Sequence, residues 1–80
     1  MMDYQKTVYD FFADKGKAEG LEYDADLFAG GFVDSLFALE IVMYLEETFR
    51  FRIGNRDLTE DNFRTVTSIA VLVERLCSGE

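Results

Sequence analysis

Apolar residues recur along this chain at the intervals of helices rather than strands. Tyr4, Val8, Phe11 and Phe12 fall three and four residues apart, which predicts an amphipathic helix over residues 3–15. Gly16 and Gly20 punctuate its end. From Glu19 to Val33 no period is sustained, and the pattern predicts a long ordered loop pinned by Leu21, Tyr23, Leu27 and Phe28. A second helix is predicted from Ser35 to Phe49 or Arg50. At about 100° per residue, Ala38, Ile41, Val42, Leu45 and Phe49 share its core face, and Leu36, Glu40, Met43 and Glu47 form a second stripe well away from it. Phe37 and Tyr44 fall on a third side, where they either pack against the loop or add apolar contact for a partner. Asp34 is placed to cap this helix, because its carboxylate can accept a free amide of the first turn. Phe51 and Ile53 extend beyond the helix, and Gly54-Asn55 marks a turn. Thr59 is placed to cap a short third helix ending near Phe63. Thr65 does the same for a last helix with an apolar stripe of Val66, Ile69, Ala70, Val73 and Leu76, ended by Ser78-Gly79. Proline is absent, and no repeat interrupts the pattern. These elements predict an all-α fold: one domain over residues 1–80, a small four-helix bundle with a long loop between helices 1 and 2 and a short third helix.

Composition narrows the setting. The chain has 80 residues, 49% of them hydrophobic and 15% aromatic, which is too apolar for a disordered segment. No apolar run reaches the roughly 18 residues of a membrane span, and the N-terminus lacks the basic start of a signal peptide. A single cysteine, Cys77, cannot form an internal disulfide, so the chain suits a reducing compartment. Cys77 reads as a small, partly buried residue of the last helix. Sixteen acidic residues against eight basic ones give a net charge of −8. That charge repels nucleic acid and anionic lipid and attracts basic protein surfaces. The expectation is a cytoplasmic monomer with protein partners, and with neither nucleic acid nor membrane among them.

The chemistry available to such a chain is limited. It holds no histidine, so a serine nucleophile at Ser35 would need a lysine or carboxylate base, and nothing ties Lys6, Lys15 or Lys17 to it. The glycine spacing of a nucleophile elbow is missing as well. Asp24 and Asp26 begin at calcium-loop spacing, but Phe28, Ala29 and Ser35 stand where ligands or glycine belong. Catalysis by the chain itself is therefore not expected. Ser35 has two further readings: a helix cap, or an anchor for an attached group. Asp34 already supplies a cap, and the free amides and dipole of a helix N-terminus favour an anion such as a phosphate ester. Met43, adaptable and flanked by carboxylates off the core face, suits docking of a partner's apolar and basic residues.

The stretch Asp34–Phe49, "DSLFALEIVMYLEETF", closely resembles the signature of the acyl carrier protein family: an Asp-Ser-Leu attachment motif followed by a helix of the form E-x-V-M-x-L-E-E-x-F. The order of elements resembles that family along essentially the whole chain. The resemblance implies a carrier, not an enzyme. Ser35 would bear 4′-phosphopantetheine, installed from coenzyme A by a Mg²⁺-dependent phosphopantetheinyl transferase, and the arm's thiol would hold an acyl group as a thioester. Its partners would be that transferase, acyl-loading and acyl-modifying enzymes, and an acyltransferase or synthase. The family's partner-reading positions fall on Asp34, Leu36, Glu40, Met43, Glu46 and Glu47. Phe37 stands where many fatty-acid-synthesis carriers have an acid, which points to other partners and adds Phe37 to the expected docking surface. "SLFALEIV" and "DLTEDNFRTV" resemble discrete carriers of polyketide and mixed polyketide–peptide pathways, some of which hold glycerate-derived, methoxymalonyl-type units. That likeness makes secondary-metabolite biosynthesis the expected setting. The alternatives are a fatty-acid carrier, a peptidyl or aminoacyl carrier, or an unmodified acidic interaction module in which Ser35 is only a cap. Arg64 either contacts a partner or balances nearby acids.

Overall fold

The computed structural model describes residues 3–79. Three α-helices carry the fold: α1 (Tyr4–Asp14), α2 (Ser35–Phe49) and α3 (Val66–Cys77). No strand occurs among the described residues. The expected short third helix is not an α-helix. In its place the α2–α3 connection makes two single 3₁₀ turns, Asn55–Asp57 and Asp61–Phe63. Thr59 does accept from the Asn62 amide, at 3.3 Å. The turn it starts ends after three residues, because Thr65 begins a new cap by accepting from Ser68 N at 2.9 Å. Too few residues lie between the two caps for a helix to propagate past its costly first turn.

Local chemistry sets each helix end. Asp3 caps α1 by accepting from the Lys6 amide at 3.1 Å. At the other end Gly16 takes φ +71°. Gly16 N donates to Ala13 O and Lys17 N to Phe12 O, the paired bonds by which a left-handed residue closes a helix. α2 is capped by Asp34, whose Oδ1 accepts from Phe37 N at 2.8 Å.

The core is one cluster. Val8, Phe11 and Phe12 from α1 meet Phe37, Ile41 and Leu45 from α2 and Val66, Ile69, Leu72 and Val73 from α3. The buried stripe of α2 is thus Phe37, Ile41 and Leu45, at i, i+4 and i+8, which lies about 50° round the helix from the face that periodicity predicts. Ala38, Val42 and Phe49 are only half-buried. Aromatic packing accounts for the rotation. Phe37 stacks on Phe11 with centroids 5.6 Å apart and meets Phe12 edge-on at 5.4 Å, and Tyr44 stacks on Phe11 at 4.3 Å. In α3 the expected stripe is buried except for Leu76, which is half-buried, and Leu72 joins it. Cys77 is exposed rather than partly buried. It sits on the last turn of α3, near Tyr4 at the start of α1.

The long loop is ordered, as its apolar residues predict. Leu21, Leu27 and Val33 are buried, and Tyr23 and Phe28 pack half-buried against the core. Backbone bonds tie the loop to the start of α3: Leu27 N donates to Arg64 O at 2.7 Å, and Thr67 N to Tyr23 O at 3.1 Å. Asp26 organises the turn between them. Its carboxylate accepts from Phe28 N at 3.0 Å and Ala29 N at 2.9 Å, and it pairs with Arg64 at 3.4 Å. Arg64 also meets Asp61 at 2.9 Å and Glu60 at 3.7 Å, so of its two expected roles the structure bears out the balancing of acids. Gly30 closes the turn where no side chain fits: a Cβ there would lie 2.9 Å from both the Asp26 carbonyl oxygen and the Phe32 ring.

The Ala29 amide is the largest influence on the Asp26 carboxyl. Together with Arg64 and the Phe28 amide, and against the opposing effect of desolvation, it holds the carboxyl below the usual carboxylate range. A carboxyl depressed in the folded state stabilises the protein above its unfolded-state pKa, and that contribution is lost as pH falls through the folded value. Asp26→Asn is therefore expected to lower the urea midpoint at neutral pH. It should also flatten the decline of that midpoint as pH drops below about 4, the ordinary Asp range. Urea titrations of both proteins across acid pH check this, and equal slopes would remove Asp26 from the account.

Candidate functional site

The residues singled out by their chemistry converge on the outer face of α2. Asp34 is the cap, exposed and engaged with the Phe37 amide. Ser35 is the first residue of the helix and is exposed. With Phe37 N bonded to the Asp34 carboxylate and Ala38 N to the Asp34 carbonyl, the Ser35 and Leu36 amides are left as the helix's open donors. They lie at the end of the helix where its dipole favours negative charge.

Leu36 is 72% exposed and Met43 61%, and Leu39, which the sequence reading passed over, is 56% exposed. Three large apolar side chains thus share one exposed face of α2. Leu39 was recognisable in principle: at about 40° on the wheel it neighbours Met43 at about 80° and Leu36 at about 100°. Glu40 and Glu47 edge the strip and are exposed. Glu40 also pairs with Lys15 at 3.4 Å, a link between α2 and the end of α1. Such half-exposed pairs contribute little to stability, so Glu40 remains available to a partner's cation.

Two residues expected on this surface belong elsewhere. Phe37 is 3% exposed. Its ring lies between Phe11 and Phe12 with the Lys17 ammonium 4.8 Å from its centroid, so it offers nothing to a partner. Neither expected role is the one adopted: Phe37 packs inward, but on α1 rather than on the loop, because α1 presents two phenylalanines to this turn. Glu46 is half-buried, and its Oε2 accepts from the Ile53 amide at 2.8 Å. That bond folds the chain back after α2 and seats Ile53 in the core.

Beside the strip runs a groove of about 200 Å³, lined by Phe28, Ala38, Leu39, Val42, Leu58 and Phe63 with Thr59 and Glu60 at its rim. It exists because rotation toward Phe37 leaves Val42 only half covered. Leu58, 43% exposed, borders it from the connecting segment. Among the described residues no helix is long and apolar enough to cross a membrane.

Comparison with known proteins gives a consistent picture. D-alanyl carrier proteins of Streptococcus pyogenes, from serotype M1, serotype M5 (strain Manfredo) and serotype M49 (strain NZ131), are each 35% identical to this chain over 77 residues. The alignments span 94% of this chain and 96% of each relative. No family model matches the chain.

The burial of Phe37 has a measurable consequence. Phe37→Ala is expected to cost about 3–5 kcal/mol of folding stability, as for other phenylalanines cut from a core. The exposed Leu36→Ala should stay within about 0.5 kcal/mol of the parent. Equilibrium urea unfolding of the two variants checks the order, and a stability near the parent's for Phe37→Ala would return Phe37 to the surface.

Proposed function

The chain belongs to the phosphopantetheine carrier protein family, and on that premise we propose that it carries an aminoacyl or other small acyl group on a 4′-phosphopantetheine arm attached at Ser35. It is a carrier rather than an enzyme. The observation that carries the choice of residue is the exposed Ser35 at the first position of α2, with the capping role taken by Asp34. Its hydroxyl is free to become the phosphodiester oxygen. The Ser35 and Leu36 amides and the helix dipole favour the phosphate that would then lie beside them. When attached, the arm supplies the thiol that holds the cargo as a thioester.

The chain's own part is positional. The aromatic packing of Phe37 fixes the first turn of α2, so Ser35 is presented from a rigid element rather than from the loop. Leu36, Leu39 and Met43 offer apolar contact around it. Glu40 and Glu47 offer carboxylates to basic residues of the transferase and the loading enzyme, which steers encounter and sets register more than it adds affinity. Tethering raises the effective concentration of the cargo at each enzyme that docks. A short, largely apolar groove beside α2 suits an arm with a small cargo.

The full-length relatives favour the aminoacyl alternative over the polyketide setting expected from the signature. The motif around Ser35 serves carriers of many cargoes, whereas the similarity to D-alanyl carriers spans 94% of the chain. Nothing in the fold favours a malonyl-type unit.

Incubation with coenzyme A, Mg²⁺ and a broad-specificity phosphopantetheinyl transferase is expected to add one phosphopantetheine mass to the wild-type chain and none to Ser35→Ala. An unmodified wild type, under conditions that load a control carrier, would refute the attachment. The intact mass of chain purified from its source cells then reads the cargo. An alanyl increment supports the aminoacyl reading, and a malonyl-type increment restores the polyketide one.

A further inference from the structure

In a strongly acidic protein, the segment after α2 is a local inversion of charge. Arg50, Arg52 and Arg56 fall within seven residues, all exposed, and none forms an ion pair among the described residues. Every other cation is engaged. Lys6 pairs with Asp10, Lys15 with Glu40, Arg75 with Asp57, and Arg64 with Asp26, Glu60 and Asp61, while Lys17 lies over the Phe37 ring. Of the acids nearest in sequence, Glu46 is committed to the Ile53 amide and Asp57 to Arg75 at 2.8 Å, while Glu47, three residues before Arg50, is exposed and forms no ion pair with it. The three arginines are therefore left to face outward.

The segment that bears them is held firmly. Glu46 anchors Ile53, which is buried; Asp57 N donates to Gly54 O; and Asn62 Nδ2 donates to Asp57 O at 2.8 Å. Arg50 itself adopts the left-handed conformation, φ 60° and ψ 43°, and is the one non-glycine residue with positive φ among those described. Glycine is the usual choice at such a helix end, since a Cβ is disfavoured there. Arg50 adopts that conformation despite its Cβ, and the residue is exposed. Its Cα also continues the exposed face of α2, seven residues on from Met43 and three from Glu47.

We infer that Arg50, Arg52 and Arg56 form a second docking patch for a partner protein, one that presents aspartate and glutamate side chains there. The patch lies about 20 Å from Ser35, the length of α2 at about 1.5 Å per residue. A partner that sets basic residues against Glu40 and Glu47 and acidic ones against the arginines can bind in one direction only. Its active site is then aimed at Ser35, a consequence that rests on the carrier reading. Nucleic acid and anionic bilayers are extended polyanions, which the net charge of −8 repels as a whole. A compact acidic patch on a protein that is basic nearby meets no such opposition.

The test is an ¹H–¹⁵N NMR titration of the full unmodified chain, at low salt, with a short peptide in which a run of glutamates is flanked by lysines. The amide resonances of Arg50–Arg56 are expected to shift, and R52E/R56E is expected to bind about tenfold or more weakly, as charge reversal at a docking rim does. Neither side chain takes part in the fold, so the double variant should keep the parent's spectrum elsewhere. A DNA duplex and phosphatidylglycerol vesicles, at the same ionic strength, should leave the segment unmoved. Unshifted resonances with the peptide, equal binding by the double variant, or tighter binding of DNA or vesicles at these residues would each overturn the inference. Mass analysis of Ser35 modification on the same samples separates the two claims. Peptide binding without modification would sink the carrier reading alone, and modification without peptide binding would sink the patch alone.

Discussion

The packing of Phe37 between Phe11 and Phe12 is the contact on which the rest of the molecule depends. It joins the first turn of α2 to α1 by a stack and an edge contact, arrangements that each add roughly 0.5–1.5 kcal/mol beyond the area they bury. Its larger effect is geometric. By drawing one side of the first turn inward it turns the opposite side out, and that side holds Ser35 and Leu36. The same rotation buries Ile41 and Leu45, exposes Leu39 and Met43, and leaves Val42 half covered at the edge of the groove. The presentation of the serine and the composition of the surface around it are thus two results of one aromatic contact.

The second constraint is the loop that delivers the chain to Asp34. It has no helix or strand to hold it, so its polar groups must find partners singly. Asp26 satisfies two amides and Arg64 together, Leu27 and Tyr23 bond to the start of α3, and Gly30 allows the close approach that shuts the turn. These contacts fix where α2 begins. The other cations of the fold are engaged locally, which is why the three arginines beyond α2 stand out.

Family membership and cargo are legible at different levels. The Asp-Ser-Leu motif and the helix after it resemble the family signature, which points to the class and makes Ser35 the proposed attachment point. On that proposal, cargo would be joined through a flexible arm and chosen by the loading enzyme, and little in the carrier would need to touch it. The similarity to D-alanyl carriers along almost the entire chain therefore weighs more on that question than the short motif that suggested a polyketide setting.

The sequence by itself determined the α-helices and their ends. Asp3, Asp34 and Thr65 cap them through bonds to amides three residues away, and Gly16 closes α1, all by local chemistry that needs no tertiary contact. It also determined the pinning of the loop, because Leu21 and Leu27 are large apolar side chains set among acids and glycines, and they leave water only by packing on the core. Only the tertiary structure decided the rotation of α2. That helix is apolar round most of its circumference, so periodicity admits more than one core face, and the choice was made by two phenylalanines on α1. Phe37 moved from the expected surface into the core for that reason, and Leu39 took a place on the surface; Glu46 was drawn off it separately, by the Ile53 amide of the segment that follows α2. The short third helix failed for a related one: with caps at Thr59 and Thr65 competing over the same few residues, spacing alone could not say that neither would extend.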